Sequence, residues 1–173
     1  MAYGISCQFQ RLKRLSMPIS LDAIDRNILR VLQEDGRLSN VELADRVGLS
    51  PSPCLRRVKR LEQEGVIRGY RAVLDRAAIS LGLTIFTEIR VDRHTRARAD
   101  ALQKALLAIP QVVSCHMVSG AADFVAEVVV PDLAAYEALL SNVLLELPMV
   151  EDIRSNFSMR AVKTDGALPL PQD

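Results

Sequence analysis

Four basic residues fall within five positions of one stretch: Arg56, Arg57, Lys59 and Arg60. A guanidinium can grip guanine O6 and N7 through two parallel hydrogen bonds, a contact worth about 1–3 kcal/mol of discrimination against a wrong base. A second guanidinium or an ammonium can instead hold a phosphate, which fixes register without reading sequence. The charge around this stretch is local. From Arg46 to Arg76 there are eight basic and three acidic residues, a net +5, whereas Met1 to Asp45 balance and Ala77 to Asp173 carry −4. Such an island in a chain of net charge +1 points to a polyanion at one place only.

The spacing predicts the elements that position these groups. Ser50-Pro51 reads as an N-cap followed by proline at the first helical position, opening a helix that runs to about Glu64 and stops at Gly65. At about 100° per residue, Cys54, Val58 and Leu61 share one side, with Leu55 at its margin, and Ser52, Arg56 and Arg60 share the opposite side. Lys59 lies beside the basic face and Arg57 near its border with the apolar side. A helix fits the major groove and its first residues reach base edges. Ser50, Ser52 and Pro53 therefore stand at the reading end with Arg56 one turn on, while Arg57, Lys59 and Arg60 suit phosphates. The backbone N–H groups of Ser52 and Cys54 can meet a phosphate at the helix start.

Two helices precede this one. Ser20 or Asp22 caps the first, whose apolar face is Leu21, Ile24, Ile28, Val31 and Leu32 and which ends at Asp35-Gly36. Asp22 and Asp25 are helix-start acids that suit the dipole. Ser39 with Glu42 is a capping box for the second, with Val41, Leu43, Ala44 and Val47 on its buried side, Gly48 as its stop and Leu49 as a buried turn residue. The arrangement is a helix-turn-helix. After Gly65, the alternation in VIRGYRAVLD predicts a short hairpin about Gly69, a wing with Arg68 and Arg71 flanking its turn as backbone contacts. Two copies related by a two-fold axis would set their reading helices about 34 Å apart, so a palindromic site on double-stranded DNA is expected.

From Ile79 the pattern changes. LGLTIFTEIRV reads as a strand with Ile85, Thr87, Ile89 and Val91 on one side. An amphipathic helix from Ala97 to Ile109 follows, then the strands VVSCHMVSG and DFVAEVVV, a helix capped by Asp132 (Leu133, Tyr136, Leu139, Leu140, Val143, Leu144), and a last strand VEDIRSNFSMRAVK. The order βαββαβ is the ferredoxin-like unit, so the fold class is α+β: a winged helix-turn-helix followed by a ferredoxin-like domain. The expected divisions are a tail over 1–19, a DNA-binding domain over 20–76, a sensing and oligomerisation domain over 77–163, and a proline-rich tail over 164–173 that lies over a surface. The turn Gly120, Ala121, Ala122, Asp123 has two readings. Its N–H groups and Asp123 could take the carboxylate and ammonium of a free amino acid, or it is an ordinary hairpin turn with Asp123 bonding its own backbone.

Other classes of function find little support. There is no Ser/His/Asp set, no paired-carboxylate motif and no phosphate-binding glycine loop, and a catalytic role is not expected. Cys7, Cys54 and Cys115 are odd in number and widely spaced, which suits a reduced, cytoplasmic protein without a disulfide framework or zinc site. Cys54 reads as a small core residue, and His94 sits alone in a loop. Cys115 and His116 are adjacent on a strand, so they point to opposite faces and cannot share a metal. No apolar run approaches the roughly 18 residues a membrane span needs. The N-terminal tail, with Arg11, Lys13 and Arg14, is a solvated extension or a basic arm on phosphate.

Taken together, LDAIDRNILRVLQEDGRLSNVELADRVGLSPSPCLRRVKRLEQEGVIRGYRAVLD, PQVVSCHMVSG with Asp123 three residues on, VVVPDLAAYEALL, RSNF and VKTDGALPL resemble the Lrp/AsnC family of feast/famine regulators, from about Leu21 to Leu170. The resemblance implies a sequence-specific transcription regulator with no cofactor other than an amino-acid effector. It places that effector at Gly120–Asp123, with Ser155 and Asn156 on the last strand as further candidates. It also implies homodimers formed through the C-terminal sheets, commonly assembled to octamers. The chain departs from the pattern in its small G-A-A-D loop, in T-D-G-A-L-P-L where two threonines commonly precede A-L-P, and in its longer leading tail. Two other readings are an architectural protein that wraps DNA with little sequence preference, and an enzyme built on the second domain, against which the lack of a catalytic constellation argues.

Overall fold

The computed structural model describes residues 19–92 and 96–171, so the N-terminal arm and His94 lie outside the described residues. The described residues divide into two compact units, one from 19–72 together with 165–171 and one within 73–164.

In the first unit α1 spans Ala23–Glu34, α2 Asn40–Arg46 and α3 Pro51–Gln63. Asp22 is the N-cap of α1, and the box is closed by a second aspartate: Asp25 N–H donates to Asp22 Oδ1 at 2.8 Å, and Asp22 N–H donates to Asp25 Oδ2 at 3.2 Å. The expected box at α2 forms, with Glu42 N–H on Ser39 Oγ at 3.3 Å and Ser39 N–H on Glu42 Oε2 at 2.8 Å. Ile28, Val31, Leu43, Ala44, Cys54 and Leu61 are buried together, with Leu49, Val58, Val66 and Ile67 against them. Each fully buried leucine contributes about 1.5–3 kcal/mol over leaving it exposed. Val41, expected on the buried side of α2, is 64% exposed. It lies two residues, roughly 200° around the helix, from Leu43, and a seven-residue helix presents only one narrow side to the core.

The chain beyond α3 departs from expectation. Gly65, at φ +76°, turns the chain so that Val66 N–H and Ile67 N–H both reach the Leu61 carbonyl. Residues 66–75 then run without strand pairing, so no hairpin forms about Gly69. Val66 and Ile67 pack on the core, while Tyr70, Val73 and Leu74 remain exposed. Alternation alone does not make a hairpin; two segments must pair, and here they do not. The C-terminal tail belongs to this unit. Leu168 exchanges hydrogen bonds with the Gln33 amide, and Leu170 packs against the core.

The second unit has β1 Leu83–Val91, α4 Arg96–Ala108, β2 Val112–Met117, β3 Phe124–Val130, α5 Leu133–Leu139 and β4 Val150–Phe157. The sheet order is β2-β3-β1-β4, and every neighbouring pair is antiparallel, as the βαββαβ order requires. Ile85, Ile89, Val91, Phe124, Val128 and Val130 from one face are buried with Leu102, Leu106 and Ile109 beneath α4 and Tyr136, Leu139 and Leu144 beneath α5. α5 widens into a π-turn over Leu140–Leu144. Leu133 and Val143, expected on its apolar face, are exposed. β4 ends at Phe157, short of the expected VEDIRSNFSMRAVK, and Met159 and Val162 are exposed. Among the described residues no helix is long and apolar enough to cross a membrane.

Candidate functional site

The start of α3 has an unusual shortage of donors. Ser50 is the N-cap, but Pro51 and Pro53 occupy the first and third helical positions and carry no N–H. Ser50, unlike Ser39, makes no side-chain cap bond, and Pro53 removes the N3 donor that Glu42 supplies at α2. Cys54 N–H donates to the Ser50 carbonyl at 3.3 Å, which removes it from the expected phosphate-facing donors and leaves that of Ser52. Asn40 Nδ2 donates to the Pro51 carbonyl at 2.9 Å and ties the start of α2 to the start of α3, a role with no signal in the sequence. Ser50 and Ser52 are exposed and Pro53 is half-buried.

The four basic residues divide into two pairs. Arg56 and Lys59 are exposed, and neither has an ion-pair partner among the described residues. Arg57 and Arg60, expected at phosphates, have other partners. Arg57 Nη1 donates to Asp22 Oδ2 at 2.6 Å and to Asp25 Oδ1 at 2.8 Å, and Arg60 Nη2 donates to Asp25 Oδ2. Asp25 is buried at 1% exposure, so Asp22 and Asp25 are more than helix-start acids. The Asp25 N–H and the Arg57 guanidinium hold the Asp22 carboxyl below the usual carboxylate range, and the hydrogen bonds that Arg57 donates to Asp22 and Asp25 push the guanidinium up. Burial pushes the Cys54 thiol up, in keeping with a core residue. Arg68 and Arg71 lie on the segment after α3 that has no strand pairing; Arg68 is exposed and Arg71 pairs with Asp165 at 3.2 Å.

The turn at Gly120 adopts φ +132°, a conformation that favours glycine. Ala121 is exposed and Ala122 half-buried. Asp123 is half-buried. Its Oδ2 accepts from Val91 N–H at 2.8 Å on the β3 side of β1, just past Ile89 and Phe124, the last pair of that ladder. The sequence alternative of a carboxylate bonded to backbone is therefore the geometry seen, though the backbone belongs to a neighbouring strand. Ser155 also turns away from the loop. It lies opposite Thr87 on the core face and bonds Tyr136 Oη at 2.5 Å, while Thr87 Oγ1 meets the same hydroxyl at 3.2 Å. Asn156 points to the other face and donates to Glu88 Oε1 at 3.1 Å.

That open face brings together charges that the sequence pattern does not single out. Glu88, Arg90, Asp152 and Arg154 line a shallow depression with Ala121 and Ala122. Arg90 pairs with Glu151 at 3.0 Å and Arg154 with Asp152 at 3.6 Å. Both signs of charge thus stand beside the loop, as a zwitterion requires. Strand alternation places Glu88 and Arg90 opposite the core residues, but only the register sets Asp152 beside Arg90.

Comparison with known proteins decides the kinship. A family model described as the Lrp/AsnC ligand binding domain matches residues 84–168, and one described as winged helix-turn-helix DNA-binding matches residues 21–68. The leucine-responsive regulatory protein of Escherichia coli is 46% identical over 148 residues, covering 86% of this chain and 90% of that protein. The chain belongs to the Lrp/AsnC family. Among solved structures, a transcriptional regulator from Neisseria meningitidis in complex with L-Met is similar at a TM-score of 0.83 and 38% identity, covering 87% of this chain and 97% of that one. The leucine response regulatory protein of Mycobacterium tuberculosis is similar at a TM-score of 0.71 and 36% identity, covering 84% and 97%. The first unit is thus the family's helix-turn-helix DNA-binding domain and the second its ligand-binding domain.

Proposed function

We propose that this Lrp/AsnC protein is a sequence-specific DNA-binding transcription regulator whose DNA affinity and assembly respond to a free amino acid. The exposed pair Arg56 and Lys59, on the third helix of a unit whose first two helices carry capping boxes, supports the DNA half of this reading. Arg56 reads a base and Lys59 holds a phosphate, with Ser52 N–H as a further phosphate donor. The amino acid sits at Gly120–Ala122, its two charged ends met by loop N–H groups and the charges of Arg90, Arg154, Glu88 and Asp152. Asp123 shapes the loop from below. The relative solved with L-Met supports an amino acid as the ligand class.

A second copy covers the open sheet face, where Phe86 is 43% exposed, and the resulting two-fold axis gives a palindromic site. Four such dimers would form an octamer. The protein acts in the cytoplasm, where the DNA is. The deciding experiment pairs anisotropy titration of the DNA upstream of its own gene with a calorimetric screen of the common amino acids. Tight binding to that DNA over random duplex, altered by one amino acid, is expected. A specific-to-nonspecific ratio near one would favour architectural wrapping instead, and the absence of any amino-acid binder would remove the sensing half.

A further inference from the structure

The basic face of α3 is half as large as its sequence suggests, and the reason is one buried carboxylate. Asp25 lies in the first turn of α1 and is nearly inaccessible to water. Its Oδ1 takes Arg57 Nη1 at 2.8 Å, and its Oδ2 takes Arg60 Nη2 and the Asp22 N–H at 3.2 Å. Asp22 Oδ2 takes the same Arg57 Nη1 at 2.6 Å. Arg57 and Arg60 are three residues apart and so share a side of α3, the side turned to the start of α1. Arg56 and Lys59 are also three apart, and they share the adjacent, exposed side.

We propose that Asp25 is a positioning residue for DNA reading: it holds Arg57 and Arg60 away from phosphate and fixes the rotation of α3 about its own axis, so that Arg56 and Lys59 alone of the four face DNA. A phosphate in water-rich surroundings competes poorly with a buried carboxylate for these arginines, because their departure would strand an uncompensated charge in the interior. Two guanidiniums on successive turns, anchored to one point, also resist rotation of the helix more than one would. A rotation of α3 carries Arg56 away from a base edge, and bidentate recognition of guanine tolerates little misalignment. Two arginines that look like phosphate contacts thereby determine which base Arg56 meets.

The inference rests on the reading of α3 as the DNA-contacting helix, and its test separates the two. The full chain and the variants Arg56→Ala, Lys59→Ala, Arg57→Ala, Arg60→Ala and Asp25→Asn are titrated against operator and random duplex across a range of salt concentrations. Lys59→Ala should flatten the slope of log Kobs against log salt by about 0.9 for each phosphate that the variant leaves unneutralised. Arg57→Ala and Arg60→Ala should leave that slope unchanged and lower the ratio of specific to nonspecific affinity. Asp25→Asn, which frees Arg60 and leaves Arg57 to Asp22 alone, should steepen the slope, raise affinity for random duplex and lower the same ratio. A merely structural Asp25 would change the melting temperature and leave the slope alone. If Arg57→Ala flattens the slope as Lys59→Ala does, the arginines are phosphate contacts and the inference falls. If neither Lys59→Ala nor Arg56→Ala alters DNA binding, the reading of α3 falls instead.

Discussion

Asp123→Ala tests what the acidic residue of the loop does. In the wild type its Oδ2 accepts from Val91 N–H at 2.8 Å, its own N–H donates to the Ile89 carbonyl at 3.0 Å, and its carbonyl accepts from Val118 N–H at 3.0 Å. The two backbone bonds survive the substitution. The side-chain bond does not, and the Val91 donor has no strand partner to turn to, because it faces the β3 side of β1 beyond Ile89 and Phe124, the last pair of that ladder. Val91 is 2% exposed, so water cannot replace the missing acceptor without opening the edge of the sheet. A buried donor left unsatisfied costs about 1–3 kcal/mol. For a domain of this size each kcal/mol lowers Tm by about 4–8 °C, so the unit holding the sheet should melt about 4–24 °C lower. Asp123→Asn keeps an acceptor oxygen and should recover most of that stability. Thermal unfolding followed by circular dichroism resolves the comparison. If Asp123→Ala melts with the wild type while amino-acid binding disappears, the carboxylate is a direct ligand and the structural argument is refuted.

Two further outcomes follow from buried and capped polar groups. Tyr136→Phe removes the hydroxyl between Thr87, which is fully buried, and Ser155, and should cost about 1–3 kcal/mol; adding Thr87→Val should return part of it, since it removes the fully buried hydroxyl that the first change leaves unpaired, and a double-mutant cycle in urea measures this. The Asp22 carboxyl is lowered first by the Asp25 N–H and then by Arg57, and the Glu42 carboxyl by the Ser39 hydroxyl and N–H. Groups lowered in the folded state contribute stability that is present above their ordinary values, 3.8 and 4.5, and lost as pH falls through the lower folded ones. The helix-turn-helix unit should therefore weaken as pH drops below about 4.5, and Asp22→Asn with Glu42→Gln should make its melting less dependent on pH in that range; equal pH dependence in variant and wild type would contradict this.

Local signals in the chain read through to local structure. Ser39 and Glu42 formed their box, Gly48 and Gly65 stopped their helices in left-handed conformations, and Cys54 and Leu61 went to the core. The even–odd alternation of LTIFTEIRV separated Ile85, Thr87 and Ile89 from Phe86, Glu88 and Arg90. The hairpin after Gly65 failed because alternation states which residues can share a face, not whether a partner strand is present. The site was legible in part. Arg56 and Lys59 stand exposed where helical spacing puts them, whereas Asp123 and Ser155 were assigned to a ligand and face the protein's own groups instead.

What the sequence determined by itself was the order of elements and the kind of partner. Both follow from interactions between residues a few positions apart: caps, helical spacing, strand alternation and a local excess of positive charge. What only the tertiary structure decided was which charges are available. Arg57 and Arg56 are neighbours of the same type, yet one reaches carboxylates 35 and 32 positions away and the other reaches none among the described residues. Asp123 likewise meets a backbone donor 32 positions distant, one that lies just past the end of the β1–β3 ladder. Ionic partners and unpaired donors depend on separations of a few ångströms between remote segments, and one-dimensional spacing carries no record of those distances.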